Sequence, residues 1–200
     1  GDMTVDEMDA MHKEGIDQFL ANIDNPITEG VGAQDLEWET DGDTRVFRLT
    51  CSEIDWEVTP GQVEKAMAYN GTVPGPTLRV VEGQRVRIHV TNELAESTVV
   101  HWHGQRVPNA MDGMPYLTQD PIRPGETFTY EFVPSPFGSH MYHSHHNAAF
   151  QVTMGLLGAF IVEPKDPSKL PAFDKEYTLI LNDGPIGGFT INGKGFPATQ

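Results

Sequence analysis

The sequence predicts an all-β domain, an antiparallel sandwich or barrel, with an N-terminal helical extension. Three observations carry this. Apolar residues alternate with period two from residue 45 onward. The 20 glycines and 15 prolines cluster between the alternating runs, where turns are needed. Ahead of both, residues 4–22 carry a helical stripe in place of an alternation.

In that first segment Met8, Met11, Ile16, Phe19, Leu20 and Ile23 fall on one stripe. Thr4 with Glu7 fits a capping box, and Pro26 follows soon after the pattern ends. Residues 24–44 are polar and Gly-rich, and read as a linker or surface arm. The stripe is expected to dock on the barrel or on a neighbouring subunit. Phe47, Leu49 and Cys51 alternate next, then Ile54, Trp56 and Val58. The change of phase at Ser52-Glu53 predicts a bulge. Asn70-Gly71, Pro74 and Pro76 break the pattern. Val86, Ile88 and Val90 then alternate with Arg85, Arg87 and His89, and Phe128, Tyr130 and Phe132 form another set. Residues 158–162 and 177–181 read as further strands. The expected organisation is 1–44 as helix and arm, 45–164 as one β domain, and 165–200 as a linker and the start of a second unit. That start is placed at Phe189-Thr-Ile-Asn-Gly-Lys-Gly.

Composition excludes several classes. Acidic residues number 29 against 13 basic, a formal net charge of −16. Nucleic-acid binding needs a basic footprint, so it is excluded. The same charge favours solubility and concentrates cations near the surface. No run of 18 apolar residues occurs, so no membrane-spanning helix is expected. Cys51 has no second cysteine to pair with and reads as a small buried apolar residue. The opening Gly1-Asp2-Met3 has neither a charged nor an apolar signal region, so an export signal is expected to be lacking or already removed.

Six of the eight histidines fall between 101 and 146. They include His101-Trp-His103-Gly and Tyr142-His143-Ser-His145. Side chains two apart on a strand share a face, separated by roughly 6.5–7 Å. Each His-x-His therefore aims two imidazoles to one side, and two such strands side by side offer four neutral nitrogen ligands. Trp102 and Ser144 point the other way. Imidazole suits copper, zinc, iron and nickel, and affinity alone favours Cu(II). A zinc hydrolase would add a general base, and no Glu stands in register beside either pair. A cupin would place a Glu four or five residues on, where this chain has Val107 and Pro108. The pairs favour copper or iron without deciding between them.

The order of motifs narrows the reading. Asn70-Gly-Thr-Val-Pro-Gly-Pro-Thr-Leu, His101-Trp-His-Gly, Met111-Asp-Gly with Thr118-Gln, Pro124-Gly-Glu-Thr-Phe-Thr-Tyr and Tyr142-His-Ser-His occur in that sequence. Over residues 45–164 the chain resembles the first domain of a laccase-like multicopper oxidase. The resemblance implies a cupredoxin-like Greek-key β-sandwich, and a second cupredoxin domain entered near Phe189. It implies an enzyme that couples one-electron oxidation of a donor to reduction of O2 to water at a trinuclear copper cluster. Eight histidines hold that cluster, four from each of two domains. By resemblance His101 binds the type 2 copper, while His103, His143 and His145 bind the type 3 pair. Asp112 matches a motif position where related oxidases carry an acid that relays protons. By itself it also fits an ordinary turn before Gly113. The setting implied is periplasmic or extracellular.

The blue type 1 copper needs a Cys thiolate, two His and often a Met. No Cys follows residue 51, and Cys51 has no neighbouring His. That copper and the other four cluster ligands are expected from a segment beyond 200 or from another chain, as in a homo-oligomeric ring. The copper nitrite reductases resemble this fold but place a His-Cys pair in their first domain, which this chain lacks, so an enzyme of that type stays a minor alternative. A different class, a non-enzymatic copper-binding or copper-storage cupredoxin, is the main alternative. The donor stays open among phenols, aromatic amines and metal ions. His140 and His146 lie out of phase with the second pair and are read as supporting or surface residues, and His12 and His89 as exposed. Met111, Met114, Met141 and Met154 form no dense tract for Cu(I) delivery.

Overall fold

The computed structural model describes residues 3–21, 23 and 26–199. Helix α1 (Val5–Ala21) begins at the expected capping box. The Thr4 N–H donates to the Glu7 carboxylate at 2.8 Å, and the Glu7 N–H returns to the Thr4 hydroxyl at 3.3 Å. None of its residues is buried. Met8, Met11, Ile16 and Leu20 face outward, so within this chain the stripe does not dock on the barrel. The helix touches the rest of the molecule at Gly15, where a Cβ would stand 3.2 Å from the Phe196 ring. The predicted end of the helix, Asn22, lies outside the described residues.

Two sheets follow. The first holds β1 (Glu39–Asp41), β2 (Thr44–Thr59), β3 (Gln62–Tyr69), β5 (Val86–Asn92) and β7 (Thr127–Phe132). The second holds β4 (Gly75–Val81), β6 (Val100–His103), β8 (Gly138–Ser144) and β9 (Leu157–Glu163), in the order β4-β9-β8-β6. The chain alternates between them, which gives the cupredoxin-like sandwich. The expectation of purely antiparallel pairing is corrected at two places. β2 pairs with β5, and β4 with β9, in parallel. Both pairs join strands that the chain reaches by crossing through the other sheet, and such crossovers permit parallel neighbours.

The main core lies between the sheets, around Trp102, Tyr130, Tyr142, Phe132 and Phe160. A second, smaller cluster gathers Trp56, Val58, Ala66, Ala68, Val73 and Ile186. Strand β2 serves both. Phe47, Leu49 and Cys51 enter the main core, and Trp56 and Val58 enter the other. This explains the phase change at Ser52-Glu53 without a bulge there. The ladder runs on through Cys51↔Tyr69, Ser52↔Ala68 and Glu53↔Met67, and the irregularity falls between Glu57 and Thr59. The strand keeps its register while its buried side changes.

Past β9 the predicted strand over 177–181 is mostly unpaired. Ladder bonds form only between β10 (Leu181–Asn182) and β11 (Thr190–Ile191). Before that, the side chain of Asn192 substitutes for a partner strand: its Oδ1 accepts from the Ile180 N–H at 2.9 Å and its Nδ2 donates to the Thr178 carbonyl at 2.9 Å. Two cations stitch this segment to the sandwich. Lys194 Nζ donates to the carbonyls of Glu29 and Glu57 at 2.5 and 2.6 Å and lies 4.2 Å over the Trp56 ring. Arg79 meets carboxylates of Asp35, Glu163 and Glu176 at 3.2, 3.4 and 2.8 Å.

Candidate metal centre

Strand β6 is the edge of the four-stranded sheet and pairs antiparallel with β8. The register sets His101 opposite His143, Trp102 opposite Tyr142, and His103 opposite Met141. Alternation then sorts the side chains. Val100, Trp102, Tyr142 and Ser144 are fully buried on the inner face. The histidines take the outer face. The inner anchors are tightly held. Tyr142 Oη donates to the Pro76 carbonyl at 2.7 Å. Its ring fits because Gly158 lacks a side chain; a Cβ there would stand 2.4 Å from the Tyr142 ring.

The ligand nitrogens of His101, His103 and His143 all lie within 4.8 Å of one another. The ring of His145 stands 5.5 Å from that of His101 and 6.1 Å from that of His143, centre to centre. His145 lies just past the end of β8, so no ladder bond draws it into the tighter trio. The structure thus gathers three of the four predicted histidines as a compact group and sets the fourth beside them.

Hydrogen bonds assign the free nitrogens. A carbonyl oxygen can only accept. His101 Nδ1 therefore donates to the Asp112 carbonyl at 2.7 Å, and His143 Nδ1 donates to the Ser144 carbonyl at 2.8 Å. Both rings are left with an unprotonated Nε2 toward the centre, the tautomer a metal requires. His103 Nδ1 faces His143 Nε2 at 3.2 Å. With His143 Nδ1 donating to the Ser144 carbonyl, the neutral His143 ring offers Nε2 as the acceptor of this contact, and His103 and His143 are two of the residues that would hold a metal. Burial lowers the pKa of His143, and the neighbouring His101, His103 and His145 lower it further against the opposing pull of its Ser144 bond. The shift favours the neutral ring, the form that can act as a ligand. A set of nitrogen-only donors with pre-oriented rings fits copper.

Asp112 follows a short 3₁₀ turn, Asn109–Met111, beside β6. Its carboxylate lies 3.6 Å from His101 Nδ1. The reading of the sequence singled out this side chain, but the shorter contact is made by its main chain. Gly113 permits that approach. Its φ is +75°, and a Cβ there would collide with the Val100 carbonyl at 1.9 Å. In the sequence Asp112 also fits an ordinary turn before Gly113, and the Asp-Gly pair is the one signal of this close approach.

The other histidines stand apart from the trio. His140 Nε2 donates to the Pro136 carbonyl at 3.0 Å. His146 meets the Tyr116 ring edge to face, 6.5 Å between ring centres. His12 is exposed, and His89 is only partly so, with Nδ1 bonded to the Thr129 hydroxyl at 2.9 Å. Cys51 is fully buried, and burial pushes its thiol up to about 12. A thiol held protonated is not a copper ligand.

The comparisons agree with this geometry. A family model described as multicopper oxidase matches residues 50–167, and the chain belongs to the multicopper oxidase family. Copper resistance protein A of Pseudomonas syringae pv. tomato is 39% identical over 137 residues, covering 68% of this chain and 22% of that protein. L-ascorbate oxidase of Nicotiana tabacum is 40% identical over 145 residues, covering 70% of this chain and 24% of that protein. The crystal structure of a blue copper oxidase from Nitrosomonas europaea superposes with a TM-score of 0.73 at 38% identity, covering 78% of this chain and 56% of that one. The chain therefore spans less than a quarter of the length of these two curated relatives. Among the described residues no helix is long and apolar enough to cross a membrane.

Proposed function

We propose that this chain supplies half of a trinuclear copper site in an oxidase that couples one-electron oxidation of a donor to reduction of O2 to water. The observation that carries the reading is the orientation of the imidazoles. Two of the three clustered rings have their outer nitrogens committed to carbonyls, which leaves the inner ones free to bind a metal. His101 would hold the type 2 copper, and His103, His143 and His145 the type 3 pair. When bound, copper at such a site supplies the electrons that reduce O2.

The chain's own residues have three tasks. His101, His103 and His143 would bind from one side only, because they stand on one face of one sheet, with His145 just past the end of β8. The Asp112 carbonyl fixes the orientation of His101. The Asp112 carboxylate would deliver protons that the reduction consumes, a role supported by its 3.6 Å separation from the same ring. A second cupredoxin domain, in the same polypeptide or in a symmetry-related subunit, completes the ligand set and brings the type 1 copper. Residues 45–164 would be the copper domain and 165–200 the passage to the next. The donor is a phenol, an aromatic amine or a metal ion, and the setting periplasmic or extracellular.

The test is copper stoichiometry and O2 uptake with a phenolic donor, on the complete protein and on residues 1–200 alone. The complete protein is expected to be blue and to turn over, and the fragment to do neither. Sustained turnover by the fragment would overturn the half-site reading. Copper binding without O2 uptake by the complete protein would favour storage.

A further inference from the structure

Thr98, Ser144 and Gln151 are polar, fully buried and in mutual contact behind the histidines. Gln151 closes α2 (Ala148–Gln151), the single turn that follows His145 and His146. Its Oε1 accepts from Ser144 Oγ at 2.5 Å and from Thr98 Oγ1 at 2.9 Å. Its Nε2 donates to the Ser97 carbonyl at 2.9 Å. Ser144 Oγ in turn accepts the His146 N–H at 3.2 Å. One amide thus holds the segment entering β6, which carries His101 and His103, and the end of β8, which carries His143 and leads directly into His145.

We propose that Gln151 is a positioning residue for the metal centre, fixing the separation of the two His-x-His pairs from the core side of the sheet. The proposal rests on the copper reading above. Three features support it. The β6–β8 ladder runs only from Val100↔Ser144 to His103↔Met141, so past Ser144 the backbone leaves the sheet. His145 and His146 lie in that stretch, and the Ser144–Gln151 contact anchors its start together with the bond from the Ser144 N–H to the Leu156 carbonyl at 3.0 Å. Apolar side chains of the same volume would fill this space at no desolvation cost. Apolar packing is non-directional, however, whereas hydrogen bonds fix distance and angle together. Gln151 also has every polar atom engaged, with two bonds accepted at Oε1 and one donated at Nε2, so its orientation is settled.

The experiment uses the full-length protein, stripped of copper and titrated with Cu(II) against a competing chelator. Three variants are compared: Gln151→Met, Ser144→Ala, and Val58→Ala as a core control in the other cluster. Gln151→Met keeps the length of the side chain and removes its hydrogen bonds. It is expected to raise the Kd for copper about 10–100-fold, the usual cost of losing a supporting bond behind a metal ligand. The Cu(II) paramagnetic resonance spectrum should change with it. Val58→Ala should lower the melting temperature and leave both readouts unchanged. Should Gln151→Met fail to fold, Ser144→Ala breaks the same contact and carries the same expectation. A wild-type Kd and spectrum in the folded variant would overturn the proposal, as would a loss matched by Val58→Ala. A wild-type protein that takes up no copper would overturn the copper reading, and this inference with it.

Discussion

The main-chain carbonyl of Asp112 accepts a 2.7 Å hydrogen bond from Nδ1 of His101, while the Asp112 carboxylate lies 3.6 Å from the same nitrogen. One residue thus orients the His101 ring through its backbone while its carboxylate stands beside the same nitrogen. The two roles are separable by substitution.

Asp112→Asn keeps the carbonyl and removes the acid. Copper content is expected to stay near that of the wild type, while O2 uptake slows by about 100-fold, within the usual range for a lost general acid. The measurement is uptake across pH, set beside metal analysis. An unchanged rate at every pH would reduce Asp112 to a turn residue.

Gly113→Ala attacks the other role. The new Cβ meets the Val100 carbonyl and must adopt a φ of +75°. The turn has to shift, at a cost of about 1–3 kcal/mol for overpacking, and the Asp112 carbonyl moves off His101. Denaturant titration should show the loss of stability. Copper retained after dialysis should fall although all four histidines remain.

Lys194→Met tests the clasp on the C-terminal segment. The substitution leaves the carbonyls of Glu29 and Glu57 without their donor, which costs about 1–3 kcal/mol where such groups are buried. Limited proteolysis should cut within 183–196 sooner than in the wild type. Copper binding is expected to persist, because the histidines stand on the other sheet.

Acid should weaken the first sheet. Glu131 bonds Arg87 at 2.7 Å and Arg85 at 3.2 Å, and these guanidinium groups hold its carboxyl below the ordinary 4.5. A depressed carboxyl pKa stabilises the fold fully above the unfolded value. That stabilisation is lost as pH falls through the folded one. Glu131→Gln should therefore be less stable than the wild type near neutrality, and the gap should close below about pH 4.5. A gap that persists at low pH would assign the effect to packing.

Much of the site was legible because it rests on local periodicity. His101 and His103, like His143 and His145, announce a shared face by spacing alone, and Trp102 and Tyr142 are buried where alternation puts them. What spacing could not convey was the surrounding support. The Asp112 carbonyl, the tight approach at Gly113 and the Gln151 amide act through contacts distant in sequence. Gln151 looks in the sequence like one polar residue among apolar ones. The phase change in β2 was visible, but its cause was not, since a bulge and a change of buried face leave the same pattern. The segment 177–181 reads as a strand because Tyr177, Leu179 and Leu181 alternate. Its ladder is short because Asn192 fills the partner's place.

The single thiol of this chain bears on its durability. Cu(II) oxidises accessible thiolates, and the products are cross-linked chains and spent metal. Cys51 is fully buried between the sheets, and burial pushes its thiol up to about 12, which disfavours the reactive thiolate and keeps it from cross-linking. The thiol of this chain is therefore kept apart from any redox-active metal, while the oxidisable side chains left in the open include the methionines of the helix, Met8 and Met11.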